Sequence, residues 1–291
     1  MSEPTPSNTP NPSLAPAVFE IDGVIKWEEW GPKVLPRIEA ASKLDIPHLF
    51  EVPAHKGRAV IVGAGPSTTL HLDTLQSCLS PHTCLFSLNG AHQWLVEADL
   101  IPNIHVLFEH DVDDTVTSLG GPPNLETTYY LASHSDERVF AQLKGYKRVL
   151  WHANIPIDGY HEAIAKYFPG EFMISGGYAT FFRTISIAAV LGFRNFDIFG
   201  VDSSFEKDSH LDGYKTSNLE ECINVWGVDP RDKTTRKFNT HGGLAFQADE
   251  FMKFCSSYHQ DIRLRVHGDS LLRYLHESRY SDEYKQLLKG T

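Results

Sequence analysis

From Arg58 onward, short apolar runs rich in β-formers alternate with segments of helical period. The runs are Ala59–Val62, Cys84–Leu88, Ile104–Phe108, Tyr129–Ala132 and Arg148–Trp151. Helical spacing lies between several of them, as at Ser67–Gln76 and Ala91–Glu97. A long apolar helix is predicted over Tyr178–Leu191, then a strand at Phe196–Gly200. Continuous apolar strands separated by helices require a sheet buried on both faces. The fold class that follows is α/β, a Rossmann-like doubly wound sheet with mostly parallel strands.

The texture changes after Asp202. Residues 203–240 are polar and rich in turn formers, with a short strand expected at Ile223–Val228. They read as an insertion or lid over the sheet's carboxyl edge. A helix at Leu244–Ser256, a strand at Arg263–His267 and terminal helices from Asp269 complete the domain. At the other end, residues 1–17 are dominated by Pro, Ser, Thr and Asn and read as a disordered tail. Residues 18–57 form a helical extension, with Pro32 and Pro36 expected to divide it into one or two short helices. The main domain is placed at 58–291.

With 291 residues the chain can bury a sizeable core without disulfides or metals. A formal charge of −11 argues against a non-specific nucleic-acid binder, which needs a clustered basic face. Cys78, Cys84, Cys222 and Cys255 form no CxxC pair and are expected to be idle thiols of a reducing compartment. No apolar run approaches a membrane span, and no basic-then-apolar leader opens the chain. A cytoplasmic location with no membrane partner is expected.

The chemistry is sought at two glycine turns. "VIVGAGPST" carries a strand into Gly63-Ala64-Gly65, then Pro66 and Ser67. Glycine permits close backbone approach, proline suits a first helical turn, and free helix N–H groups face an anion. Gly65→Asp is expected to block such a turn without unfolding the chain. "ISGGYATFFRT" repeats the pattern, with Ser175 as N-cap, Gly176 and Gly177 behind it, and Arg183 two turns into the helix. The third glycine of a dinucleotide fingerprint and the P-loop lysine are both missing. The second strand ends in Asn89, where a dehydrogenase would carry an acidic residue. A small-molecule nucleotide other than NAD is therefore the expected ligand.

Carboxylates at strand ends suit Mg²⁺ on nucleotide phosphates. Asp111, in "FEHDVDD" with Glu109, Asp113 and Asp114, and Asp202, in "GVDSSF", hold such positions. Among 15 histidines three are weighed: His134 after the strand "YYLAS", His210 in the polar insertion and His241 ahead of a helix; His210 and His241 are the candidate proton acceptors.

The motifs "VIVGAGPS", "SLNGA", "YYLASH", "LWHA", "SGGYATFFRTISIAAVLGFRNFDIFGVDSSF", "SHLDGY", "FQADEF" and "RVHGDSLL" occur in this order. Together they resemble the MptE-like domain family, over roughly Arg58 to Leu275. More distantly the chain is similar to bacterial sialyltransferases and to motility-associated-factor glycosyltransferases. The resemblance implies that Gly63, Gly65, Pro66 and Ser67 form a first nucleotide turn and Ser175, Gly176 and Gly177 a second. Asn89 matches an asparagine of the sialyltransferase nucleotide pocket, Asp202 a strand-end aspartate, and His241 falls near the sialyltransferase general base. The activity implied is transfer of diphosphate from ATP with Mg²⁺ to a hydroxymethylpterin. A nucleotide-sugar glycosyltransferase is the alternative, and a non-catalytic binding module is a third.

Overall fold

A computed structural model of the chain describes residues 27–108, 119–205, 223–228, 233–258 and 262–278. Strands β1 (Arg58–Val62), β2 (Thr83–Leu88), β3 (Ile104–Leu107), β4 (Thr128–Ala132), β5 (Lys147–Trp151) and β6 (Asn195–Phe199) fall on the apolar runs. Strands β7 (Ile223–Val228), β8 (Thr235–Thr240) and β9 (Arg263–Val266) follow. Seven of them form one sheet in the order β5-β4-β3-β2-β1-β6-β9, and each of its pairings is parallel. The chain winds outward from β1 to β5, then returns to lay β6 on the opposite side of β1. The strand order thus reverses between β1 and β6, and open α/β sheets bind ligands in the crevice beyond such a reversal.

Each inner strand is apolar along its length because both of its faces are covered. Ala59, Ile61, Phe86 and Val106 point to one side, where helix α6 (Thr180–Val190) crosses β1, β2 and β3. Val60, Val62 and Leu85 point to the other, against Leu75 of α2 (Leu72–Cys78) and Leu95 of α3 (Ala91–Glu97). Asp197 interrupts the pattern on β6 and is fully buried. It joins three strands: Arg58 Nε of β1 lies 3.3 Å from Oδ2, and Arg265 Nε of β9 lies 3.0 Å from Oδ1. His267 Nε2 lies 2.9 Å from the same Oδ1.

Two expectations need correction. Among its described residues the N-terminal extension has one helix, α1 (Trp27–Ala41), within the one or two expected, but Pro32 and Pro36 lie inside it rather than breaking it. Two missing N–H donors are outweighed by a buried face: Val34 and Ile38 are fully enclosed, and α1 packs on α5 (Tyr160–Tyr167). The first glycine turn leads into a 3₁₀ segment, Pro66–His71, before α2, so no single helix runs over Ser67–Gln76.

Within the polar region after Asp202, β7 and β8 pair as an antiparallel hairpin. Val225 and Phe238 of the hairpin share an apolar cluster with Ala248 of α7 (Gly242–Tyr258) and Leu271, Tyr274 and Leu275 of α8 (Leu271–Ser278). Helix α4 (Glu137–Gln142) lies between β4 and β5. No helix among the described residues is long and apolar enough to cross a membrane.

Candidate functional site

A cavity of about 370 Å³ opens at the carboxyl ends of β1, β2 and β6. Gly63 and Gly65 border it from β1, Asn89 from β2, and Gly200 and Asp202 from β6. Tyr178, Ala179 and Thr180 border it where α6 begins, whereas Ser175, Gly176 and Gly177 of the second predicted corner, and Pro66 and Ser67 of the first, are not among its lining. His241, Leu244 and Gln247 close another side, and Trp30 reaches in from α1.

At the first corner the strand ends are laced together. Gly63 N–H donates to Phe199 O at 2.8 Å, and Gly65 N–H donates to Gly200 O at 2.7 Å. The Thr68 hydroxyl donates to the carbonyls of Gly63 and Gly65. A side chain on Gly65 would begin 2.6 Å from Gly200 O and 2.7 Å from Asp202 Oδ2. Glycine is needed there because β6 and its aspartate come so close. Gly65→Asp is therefore expected to strain the junction of β1 with β6 as well as to block the turn.

Asp202 caps the 3₁₀ segment. Its Oδ2 accepts from Ser67 N–H at 2.8 Å and its Oδ1 from the Ser67 hydroxyl at 2.6 Å. The residue is 5% exposed, and burial pushes its pKa up to about 6, against the lowering effect of the two Ser67 bonds. The Ser67 amide, expected to meet a phosphate, meets this carboxylate instead. Each Asp202 oxygen accepts one bond from Ser67 and the residue borders the cavity, so the carboxylate caps the 3₁₀ segment and keeps lone pairs of its own. Asp111, its expected companion, and His210 lie outside the described residues, as do Glu109, Asp113 and Asp114.

The second corner is displaced from its expected place. Helix α6 begins at Thr180 with Ala179 as N-cap, and Gly176 ahead of it sits at φ +136°, outside helical geometry. Ser175 is exposed and its hydroxyl accepts from Asn154 Nδ2 at 3.3 Å. A second carboxylate fills this corner: Glu250 of α7 accepts from Tyr178 N–H at 2.9 and 3.0 Å. A Cβ on Gly177 would meet the Glu250 carboxylate, the mobile end of its side chain. Burial raises the pKa of Glu250, and the amides of Tyr178 and Ala179 pull it back.

Arg183 faces away from the cavity. Its guanidinium donates to Ile174 O and, at 2.8 Å, to Asn154 O, and it lies 5.2 Å over the Phe108 ring. Burial lowers its pKa to about 10, which leaves it charged at neutrality. It fixes the loop ahead of α6 and takes no part in the cavity. His134 is also a core residue, with Nδ1 2.9 Å from the Tyr160 hydroxyl.

Three polar groups point at ligand chemistry. Asn89 holds a left-handed backbone, φ 46°, and its Oδ1 is buried without a hydrogen-bond partner. Gln247 Oε1 accepts from the Ser203 hydroxyl at 2.9 Å, which fixes the carboxamide. Burial lowers the pKa of His241, so its ring is neutral at physiological pH and able to accept a proton. Sequence reasoning missed Gln247, Glu250 and Trp30. The first two stand three residues apart in "FQADEF", a spacing that puts both on one helix face. Trp30 carries no comparable signal.

No curated protein sequence matches the chain. Among solved structures, the MAf glycosyltransferase from Magnetospirillum magneticum AMB-1 superposes with a TM-score of 0.61 at 14% identity. The alignment covers 92% of this chain and 46% of that one, so the chain spans about half of that protein's length. A mammalian sialyltransferase in complex with Gal-beta-1-3GalNAc-ortho-nitrophenol aligns at a TM-score of 0.39 and 12% identity, over 85% of this chain and 88% of its own. Residues 35–208 match the family described as 6-hydroxymethylpterin diphosphokinase MptE-like, which spans β1 to β6 and both glycine corners. The chain belongs to the MptE-like family.

Proposed function

We propose that the protein is a nucleotide-dependent transferase whose donor lies in the crevice between β1 and β6. The observation that carries this reading is the cavity's position: it sits at the reversal of strand order, and Gly63 and Gly65 of the family region line it together with the start of α6 at Tyr178, Ala179 and Thr180. Asn89 borders the cavity at the end of β2, with a carboxamide of the type that bonds a base or ribose. The phosphates take the place of the Glu250 carboxylate at the Tyr178 and Ala179 amides, where a helix N-terminus favours negative charge. The neutral His241 ring takes the acceptor's hydroxyl proton.

In the simplest form the donor is ATP and the acceptor a hydroxymethylpterin, in keeping with the family's description. The acceptor oxygen attacks the β-phosphorus, AMP departs, and the hydroxyl proton passes to His241. Catalysis is then mainly positioning and electrostatics. The second reading is glycosyl transfer from a nucleotide sugar, favoured by the likeness to the MAf glycosyltransferase over most of this chain.

A melting screen with ATP, CTP, UTP and their nucleotide sugars separates the readings. A ligand specific for the folded state adds about 2.7 kcal/mol at a hundredfold excess over its Kd. A rise with ATP, with AMP released when the pterin alcohol is added, supports diphosphate transfer. A rise only with a pyrimidine nucleotide sugar supports the second reading. No rise with any of them contradicts both.

A further inference from the structure

Away from the crevice, three side chains of metal-binding type meet beneath helix α2. Cys78 is the last residue of α2, Asp197 stands in the middle of β6, and His267 follows β9 directly. The Cys78 sulfur, a carboxylate oxygen of Asp197 and a ring nitrogen of His267 all lie within 4.8 Å of one another. None of the three residues borders the cavity. We propose that they form a zinc site, in which a thiolate, an imidazole and a carboxylate clip α2 to β6 and β9 and water completes the coordination.

The sheet register brings the three together. Asp197 stands opposite Val60 of β1 and Arg265 of β9, so its side chain shares the sheet face that Val60 turns toward α2. Cys78 packs on the same apolar cluster from the helix side. The His267 ring lies flat on Phe199 of that cluster, with centroids 4.1 Å apart and the planes parallel. The imidazole is thereby fixed in plane, with Nε2 2.9 Å from Asp197 Oδ1. Sulfur, nitrogen and a single carboxylate are the donor set of zinc, which accepts three protein ligands and leaves a fourth position open. Magnesium and calcium require more oxygen ligands than one carboxylate supplies. The charges balance: thiolate and carboxylate together neutralise Zn²⁺, and the thiol proton leaves to solvent as the metal binds. Without metal, Arg58 and Arg265 hold the Asp197 carboxylate. Their side chains are 39% and 59% exposed, so both can turn to water when a cation takes the carboxylate. Their positive charge opposes the cation, which makes the site weaker than a closed four-ligand centre and its occupancy reversible.

The test titrates the full chain, stripped of metal by a chelator and kept reduced, first with Co²⁺ as a coloured stand-in and then with Zn²⁺. The expected result is a thiolate-to-cobalt absorption band that saturates at one ion per chain and is erased by zinc, together with a zinc-dependent rise in melting temperature. Cys78→Ser abolishes the thiolate band and the zinc-dependent rise. His267→Gln weakens cobalt binding about tenfold or more. Cys84→Ser and Cys255→Ser leave the band and the rise unchanged. The melting temperature of each metal-free variant reports whether it folds, and His267→Gln carries the test by itself should Cys78→Ser fail to fold. No thiolate band in wild type overturns the proposal. So does a band that survives in Cys78→Ser, or a cobalt affinity that His267→Gln leaves unchanged.

Discussion

At the scale of single residues, two carboxylates occupy backbone amides at the starts of the 3₁₀ segment and of α6. Asp202 accepts from Ser67, whereas Glu250 occupies the amides at the mouth of α6 and competes with any incoming phosphate. Replacing Glu250 by Ala is expected to tighten nucleotide binding about tenfold while lowering the melting temperature of the free protein. Titration of both proteins with the same nucleotide checks this, and an unchanged or weaker Kd in the variant excludes the α6 amides as the phosphate site. A different residue controls acid stability. His92 is fully buried beside His105, with ring centroids 4.8 Å apart, and burial lowers its pKa to about 4. An unfolded histidine titrates near 6.5. The fold therefore has its full His92 contribution above pH 6.5 and loses about 3 kcal/mol of it as pH falls to 4. Asp202 acts with the opposite sign: its raised pKa favours the fold in acid, and that contribution is lost as pH rises through about 6. Denaturation of wild type and His92→Gln at pH 7 and pH 4 isolates the first effect. The variant should lose less stability on acidification, and an equal loss would remove His92 as a cause.

Among the elements, the junction of β1 with β6 controls the site's shape. The turn after β1 approaches Gly200 so closely that even a methyl group at Gly65 meets a carbonyl and a carboxylate. Gly65→Ala should therefore destabilise the protein by roughly 1–3 kcal/mol, the usual range for forced overpacking. Chemical denaturation measures it, and a neutral substitution would show that the two strand ends are looser than described. The same junction explains how the glycine motif reads in isolation. A strand followed by Gly-x-Gly-Pro-Ser looks like an anion turn because it frees backbone amides. Whether an anion or the protein's own carboxylate meets them depends on Asp202, 135 residues away from Ser67. No local spacing reports that pairing. By contrast the strands are legible, since burial on both faces demands continuous apolar runs such as "AVIV" and "CLFSL". The late start of α6 was hidden because "SGG" fits either a cap or an extended loop, and the choice is made by Arg183 gripping Ile174 and Asn154.

For the molecule as a whole, topology marks the candidate site more firmly than any one motif does. Seven parallel strands with a reversal between β1 and β6 create one crevice, and the chain brings to it residues from position 30 to position 247. The family region supplies its sheet side, and α1 and α7 complete it. The most direct test is amide-resolved NMR of the ¹⁵N-labelled protein with the nucleotide that stabilises it. The largest shifts are predicted at Tyr178, Ala179, Asn89 and Ser203, around the β1–β6 crevice. Shifts clustered elsewhere on the surface, with these four amides unmoved, would contradict the placement of the donor site.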